Sequence, residues 1–142
     1  MIATYNKQET RNLTLVQSAF EKWIAGTGGP FDLLAPDAQW TIVGRSAVSK
    51  VYRSKKVFID EVIAPFNARM SRPLVPTMRG LYADGDMVIA LFDASATTKD
   101  NMPYENTYSW FMRFLDEEII EVTAFFDSVE FNEFWARVIP AR

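Results

Sequence analysis

The chain has neither cysteine nor histidine in its 142 residues. Without thiols it forms no disulfide, offers no thiolate nucleophile and builds no thiolate metal centre. Without imidazole it lacks the side chain that most often moves protons near neutral pH, which removes Ser-His relays and imidazole-held metals. Proton chemistry therefore falls to Asp, Glu, Tyr and Lys. No Asp/Glu group has the spacing of a calcium loop, so neither a metal nor a cofactor is expected. Basic runs are also missing. The net charge is −3, and Lys55-Lys56 reads as the solvated edge of a helix. Nucleic acid is a poor partner for such a chain, because phosphate contacts need a concentrated basic surface. No apolar run approaches the length of a membrane span, and the polar stretch Met1–Thr10 lacks the apolar segment of a secretory leader. The expectation is a cytoplasmic protein with no membrane partner.

What the chain has is apolar and aromatic mass. Hydrophobic residues make up 49%, with eleven Phe, five Tyr and four Trp. That is enough for a substantial core, and the length suits one domain over residues 1–142. Leu13, Val16, Phe20, Trp23 and Ile24 recur at steps of three and four, predicting an amphipathic helix over 8–25 that stops at Gly26. A short helical turn at Phe31–Ala35 and an alternating strand at Gln39–Val43 follow, then a loop or weak edge strand over Gly44–Val51. A second helix spans about 54–70, with Ser54 as N-cap and a stripe of Phe58, Ile59, Val62, Ile63 and Phe66. Pro65 falls inside it and is expected to kink or end it near Ala64. Four strand patterns come next: Leu74–Ala83, Met87–Thr98, Pro103–Leu115 and Ile119–Phe126. Short polar connections join them, Asp84-Gly85-Asp86 first, so neighbours should be antiparallel. Ser128–Arg137 closes the chain as a helix capped by Asp127 or Ser128. This order gives an α+β fold, with helices on one face of a bent antiparallel sheet. Both faces of Thr107–Phe114 are rich in apolar residues, which predicts a homodimer through the sheet.

Several phrases carry a resemblance. They are Phe31-Asp32-Leu33-Leu34-Ala35-Pro36-Asp37-Ala38 with Trp40, Tyr52-Arg53-Ser54-Lys55, Gly80-Leu81-Tyr82-Ala83-Asp84-Gly85-Asp86, Tyr104-Glu105-Asn106-Thr107-Tyr108, and Ile120-Glu121-Val122 running to Phe126-Asp127. In these the chain resembles the SnoaL-like, ketosteroid isomerase-like branch of the nuclear transport factor 2 (NTF2-like) superfamily over nearly its whole length. The resemblance implies a cone: a curved antiparallel sheet with N-terminal helices on its concave face. It also implies where catalytic groups would stand. The steroid isomerases' first-helix Tyr falls at Ala19, their base Asp near Ile42, and their second oxyanion carboxyl near Trp110. The Asp that cyclases and limonene epoxide hydrolase keep on the last strand falls at Ala124. The hydrolase's Arg and Asp fall at Phe92 and Ala94. Each slot holds a residue without proton chemistry, which puts all three activities in doubt for this chain.

Strand parity assigns the faces. If Ala124 points inward, so do Val122 and Phe126, with Asn106, Tyr108, Trp110, Met112 and Phe114 on the third long strand and Trp40 and Ile42 on the first. That set describes an apolar, aromatic space with polar points at Asn106 and Tyr108. It suits a small, flat hydrophobic ligand, or it is a filled core. Asp127 is the candidate acid: facing the space, it would be a base with Tyr108 and Asn106 as polarising donors, in an isomerase, cyclase or lyase. At a strand–helix junction it is equally a helix cap. Glu105 reads as solvated, Asp93 as an outward ion-pair partner, and Arg45, Arg53 and Arg79 as candidate anchors for an acidic group. Three functions follow: a hydrophobic-ligand binder without the inherited catalytic set, a carboxylate-dependent enzyme, and a dimerisation module.

Overall fold

The structure, a computed structural model, describes residues 4–140, so Met1–Ala3 of the N-terminal stretch fall outside it. Helix α1 spans Lys7–Ala25. Its start is a capping box, in which Asn6 Oδ1 accepts from Glu9 N at 2.8 Å and Glu9 Oε1 accepts from Asn6 N at 2.9 Å. The other Glu9 oxygen accepts from Gly85 N at 2.8 Å and ties the helix to a distant turn. These backbone donors hold the Glu9 carboxyl below its ordinary value. Gly26 ends the helix at φ 75°, a conformation that disfavours any residue with a Cβ. The buried face is Asn12, Val16, Ala19 and Phe20. It is turned slightly from the predicted stripe: Leu13 and Trp23 are only partly buried, and Ile24 is exposed. Asn12 Nδ2 is the only fully buried side-chain polar atom without a partner among the described residues.

A 3-10 turn, Pro30–Leu33, leads into β1, Leu34–Ile42, which begins five residues before the predicted strand. The two-residue edge strand β2 is Val51–Tyr52. Ser54 then caps α2, Lys55–Phe58, its Oγ accepting from Val57 N at 3.1 Å. Pro65 does not end this helix. The chain passes through a wide π turn, Ile59–Ile63, into α3, Ala64–Asn67, with the Ala64 N–H donating to Ile59 O. The wider turn accommodates a ring that would clash in a regular helix and whose nitrogen has no hydrogen to donate.

Strands β3 (Met70–Asp84), β4 (Met87–Thr98), β5 (Pro103–Leu115) and β6 (Glu118–Phe126) form the antiparallel meander, and α4 (Ser128–Arg137) follows. The six-stranded sheet runs β2-β1-β6-β5-β4-β3. One pairing departs from the antiparallel expectation: β1 lies parallel to β6, with Trp40 opposite Val122 and Ile42 opposite Ala124. Long-range returns of this kind leave no turn signal to read. β3 starts four residues early, through Arg72-Pro73. It tolerates Pro73 and Pro76 because it is an edge strand, where a missing N–H breaks no ladder on its free side. The β5–β6 turn places Asp116 and Glu117 at φ 49° and 68°, the left-handed pair that a tight hairpin requires.

The sheet is bent and unclosed, with helices on its concave side: an α+β cone. Alternation along β4, β5 and β6 sends every second side chain into one continuous core.

Candidate functional site

Register stacks the inward side chains in rows across the sheet. One row is Val88, Met112, Val122 and Trp40; the next is Ala90, Trp110, Ala124 and Ile42; a third is Phe92, Tyr108 and Phe126. The middle row carries two alanines, and a cavity of about 320 Å³ stands over its Ala124 end. Trp40, Ile42, Tyr108, Trp110, Ala124 and Phe126 line it. Its opposite wall comes from the helices: Trp23 from α1, and Phe58, Val62, Ile63 and Phe66 from the helical segment after Ser54. Phe31, Val48 and Phe131 complete the lining, with Gly28–Asp32, Asn67 and Pro73-Leu74 also on it.

Four residues of the predicted inward set lie elsewhere, among them Phe114, which is buried opposite Ile119 towards the end of β5. Met112 and Val122 are fully buried in the neighbouring row and do not reach the cavity. Asn106 lies beyond Tyr108 and lines a separate polar groove with Asp93, Glu105, Asp127 and Glu130. The helix-borne aromatics were visible as an amphipathic stripe, but parity within strands says nothing about which helix faces them. Phe31 had no comparable signal.

The aromatic rings interlock. Trp40 stacks on Phe58 at 4.1 Å between centroids and 12° between planes, and Trp23 stacks on Trp110 at 6.0 Å and 7°. Phe31 meets Trp40, Phe58 and Trp110 at 5.6, 5.6 and 5.9 Å. The cavity is thus walled by aromatic side chains that pack against one another across it. The Trp23 indole N–H donates to Leu74 O at 2.8 Å. Trp40 and Trp110 also line the cavity, and their indole N–H groups have no hydrogen bond among the described residues.

Polar organisation comes from β5. Asn106 Nδ2 donates to Tyr104 Oη at 2.8 Å, and the Tyr104 and Tyr108 hydroxyls lie 2.7 Å apart. Asn106 also latches the start of α4, donating to Asp127 O and accepting from Asp127 N, each at 3.0 Å. Burial pushes the Tyr104 phenol up to about 12 despite its hydrogen bonds to Tyr108 and Asn106. Burial, reinforced by Tyr104, raises Tyr108 well above its ordinary value. Both are neutral phenols at physiological pH.

Asp127 does not face the cavity. It is exposed, its Oδ1 accepts from Val129 N at 2.9 Å, and its backbone is the N-cap of α4. Asp93 is outward, accepting from Thr107 Oγ1 at 2.7 Å and lying 3.6 Å from Arg79. Asp32 is the one acidic side chain on the cavity. It is exposed at the mouth, where its Oδ2 accepts from Gly29 N at 3.0 Å. Among the described residues no Lys or Arg, Arg45, Arg53 and Arg79 included, lies on the cavity wall. Among the described residues no cluster of three carboxylates is arranged to hold a metal, and no helix is long and apolar enough to cross a membrane.

No family model and no curated protein matches this sequence. Solved structures do match its fold. A putative SnoaL-like polyketide cyclase from Jannaschia sp. CCS1 superposes with a TM-score of 0.73 at 14% identity, covering 99% of both chains. An NTF2-like protein of unknown function from Burkholderia pseudomallei reaches 0.71 at 16% identity, over 92% of this chain and 98% of its own. TerC, co-crystallised with polyporic acid, reaches 0.69 at 16% identity, over 88% of this chain and 98% of its own. The fold is therefore the NTF2-like cone, of the kind seen in SnoaL-like proteins.

Proposed function

We propose that the protein binds a small, flat, hydrophobic molecule in the aromatic slot, without the acid–base set of the enzymes it resembles. The observation that carries this is the slot itself. Its volume, about 320 Å³, lies within the range of roughly 300–1,000 Å³ common for ligand sites, and aromatic side chains dominate its lining. Ala19 is buried on α1, and Ile42, Trp110 and Ala124 stand on the sheet at the slots where the related enzymes keep proton-handling groups. With Asp127 spent on a helix cap outside the slot, the carboxylate-dependent enzyme reading loses its base. TerC's co-crystallisation with an organic ligand supports a binding role for this fold.

The test is a thermal-shift series against steroids, polyketide-like aromatics and terpenoids. A ligand held only by the native state adds about 2.7 kcal/mol of stability at one hundred times its Kd. At least one of these classes should raise Tm with the wild type and do so much less with Trp110→Ala. Equal shifts in both proteins would place binding outside the slot.

A further inference from the structure

The exposed residues on the cavity's lining are Gly28, Asp32, Asn67 and Pro73. They place its mouth between the loop after α1, the end of α3 and the start of β3. Behind them the lining is buried or partly buried, and aromatic rings dominate it. Among the described residues this lining carries one acidic side chain, Asp32, and no basic one. Local structure fixes that carboxylate at the rim. Its Oδ2 accepts from Gly29 N at 3.0 Å, at the start of the turn Pro30–Leu33. Gly28 keeps it clear, because a Cβ there would stand 2.8 Å from Oδ2. Lys22 lays its stem beside Gly28, yet among the described residues Asp32 forms no ion pair with it or with any other cation. The mouth therefore presents a held negative charge that the protein itself does not neutralise.

Building on the binding role proposed above, we infer that the ligand is a hydrophobic amine, with a flat aromatic body inside the cavity and its protonated nitrogen at the mouth against the Asp32 carboxylate. Two features of the wall favour a cation. Asp32 attracts it, and the faces of aromatic rings carry the negative end of their quadrupole. An anion would meet only the carboxylate and those same faces. The charge belongs at the mouth, because sinking it among apolar rings would strip its water without returning enough hydrogen bonds.

Fluorenylmethylamine, fluorenylmethanol and fluorene-9-carboxylate isolate the charge, because they share one flat tricycle and are respectively cationic, neutral and anionic near neutral pH. Equilibrium dialysis with the full chain measures all three affinities. The wild type should bind the amine most tightly and the carboxylate least. Asp32→Asn keeps an acceptor for the Gly29 N–H and removes the charge. It should weaken the amine by about threefold to fivefold, the upper range for a solvent-exposed ion pair, and the alcohol by less than about twofold. Raising the salt concentration should narrow the wild type's preference for the amine over the alcohol in the same direction, which keeps the test decisive even if the variant folds poorly. If the wild type binds the alcohol or the carboxylate as tightly as the amine, or if Asp32→Asn weakens amine and alcohol alike, Asp32 does not select a cation, while the cavity remains the binding site. If the wild type binds none of the three, the binding role fails and this inference with it.

Discussion

Ala124 and Tyr108 show how single residues define this site. Ala124 leaves room where a larger inward side chain would fill the row between Trp110 and Ile42. Tyr108, one row away, stacks on Phe92 at 5.2 Å and 8° and lines the cavity with its hydroxyl 2.7 Å from that of the buried Tyr104. Both faced inward by parity alone, because a buried face fixes strand register. Their different fates, and the exclusion of Asn106, were not legible in the sequence: parity gives a face but not a depth along the cone. The buried phenols make a pH prediction. Tyr52 and Tyr104 are each raised to about 12 chiefly by burial, and burial also raises Tyr108 well above its ordinary value. Above pH 10 the unfolded chain loses phenol protons that the native state keeps, so stability falls with rising pH. The loss should begin near pH 10 and continue to about pH 12 for Tyr52 and Tyr104, at up to about 1.4 kcal/mol per pH unit for the buried Tyr104. Urea titrations at stepped alkaline pH measure it, and Tyr104→Phe should flatten the slope.

Elements with local signals were readable to within a residue or two. The Gly26 stop, the Ser54 cap, the Asp84-Gly85-Asp86 turn and the limits of β4, β5 and α4 all follow from neighbouring residues. The departures have non-local causes. β1 and β3 are longer than their alternation suggests because they pair with a formed sheet. The helix survives Pro65 because a π turn widens in front of it. Asp127 belongs to this scale, since its carboxylate serves the first turn of α4. Asp127→Ala should cost about 1 kcal/mol in chemical denaturation, with ligand affinity unchanged. A large loss of affinity without a loss of stability would return Asp127 to the site.

At the scale of the whole molecule, the convex face of the sheet is the unpaired surface. Ile89, Leu91, Phe111 and Phe125 share it by register, and Phe125 and nearby Tyr82 are 44% and 50% exposed. We propose that two copies pair through this face. The wild type should sediment at twice the chain mass and Phe125→Glu at the chain mass; a monomeric wild type would contradict the pairing. On the concave side, the account stands on the aromatic slot as the place where a ligand sits. A crystal structure of the protein soaked with fluorenone tests that claim most directly. The account predicts the tricycle inside the cavity, against Trp110, Phe31 and Phe58. Fluorenone bound only in the outer groove beside Glu105 and Glu130, with the slot closed by its own side chains, would contradict it.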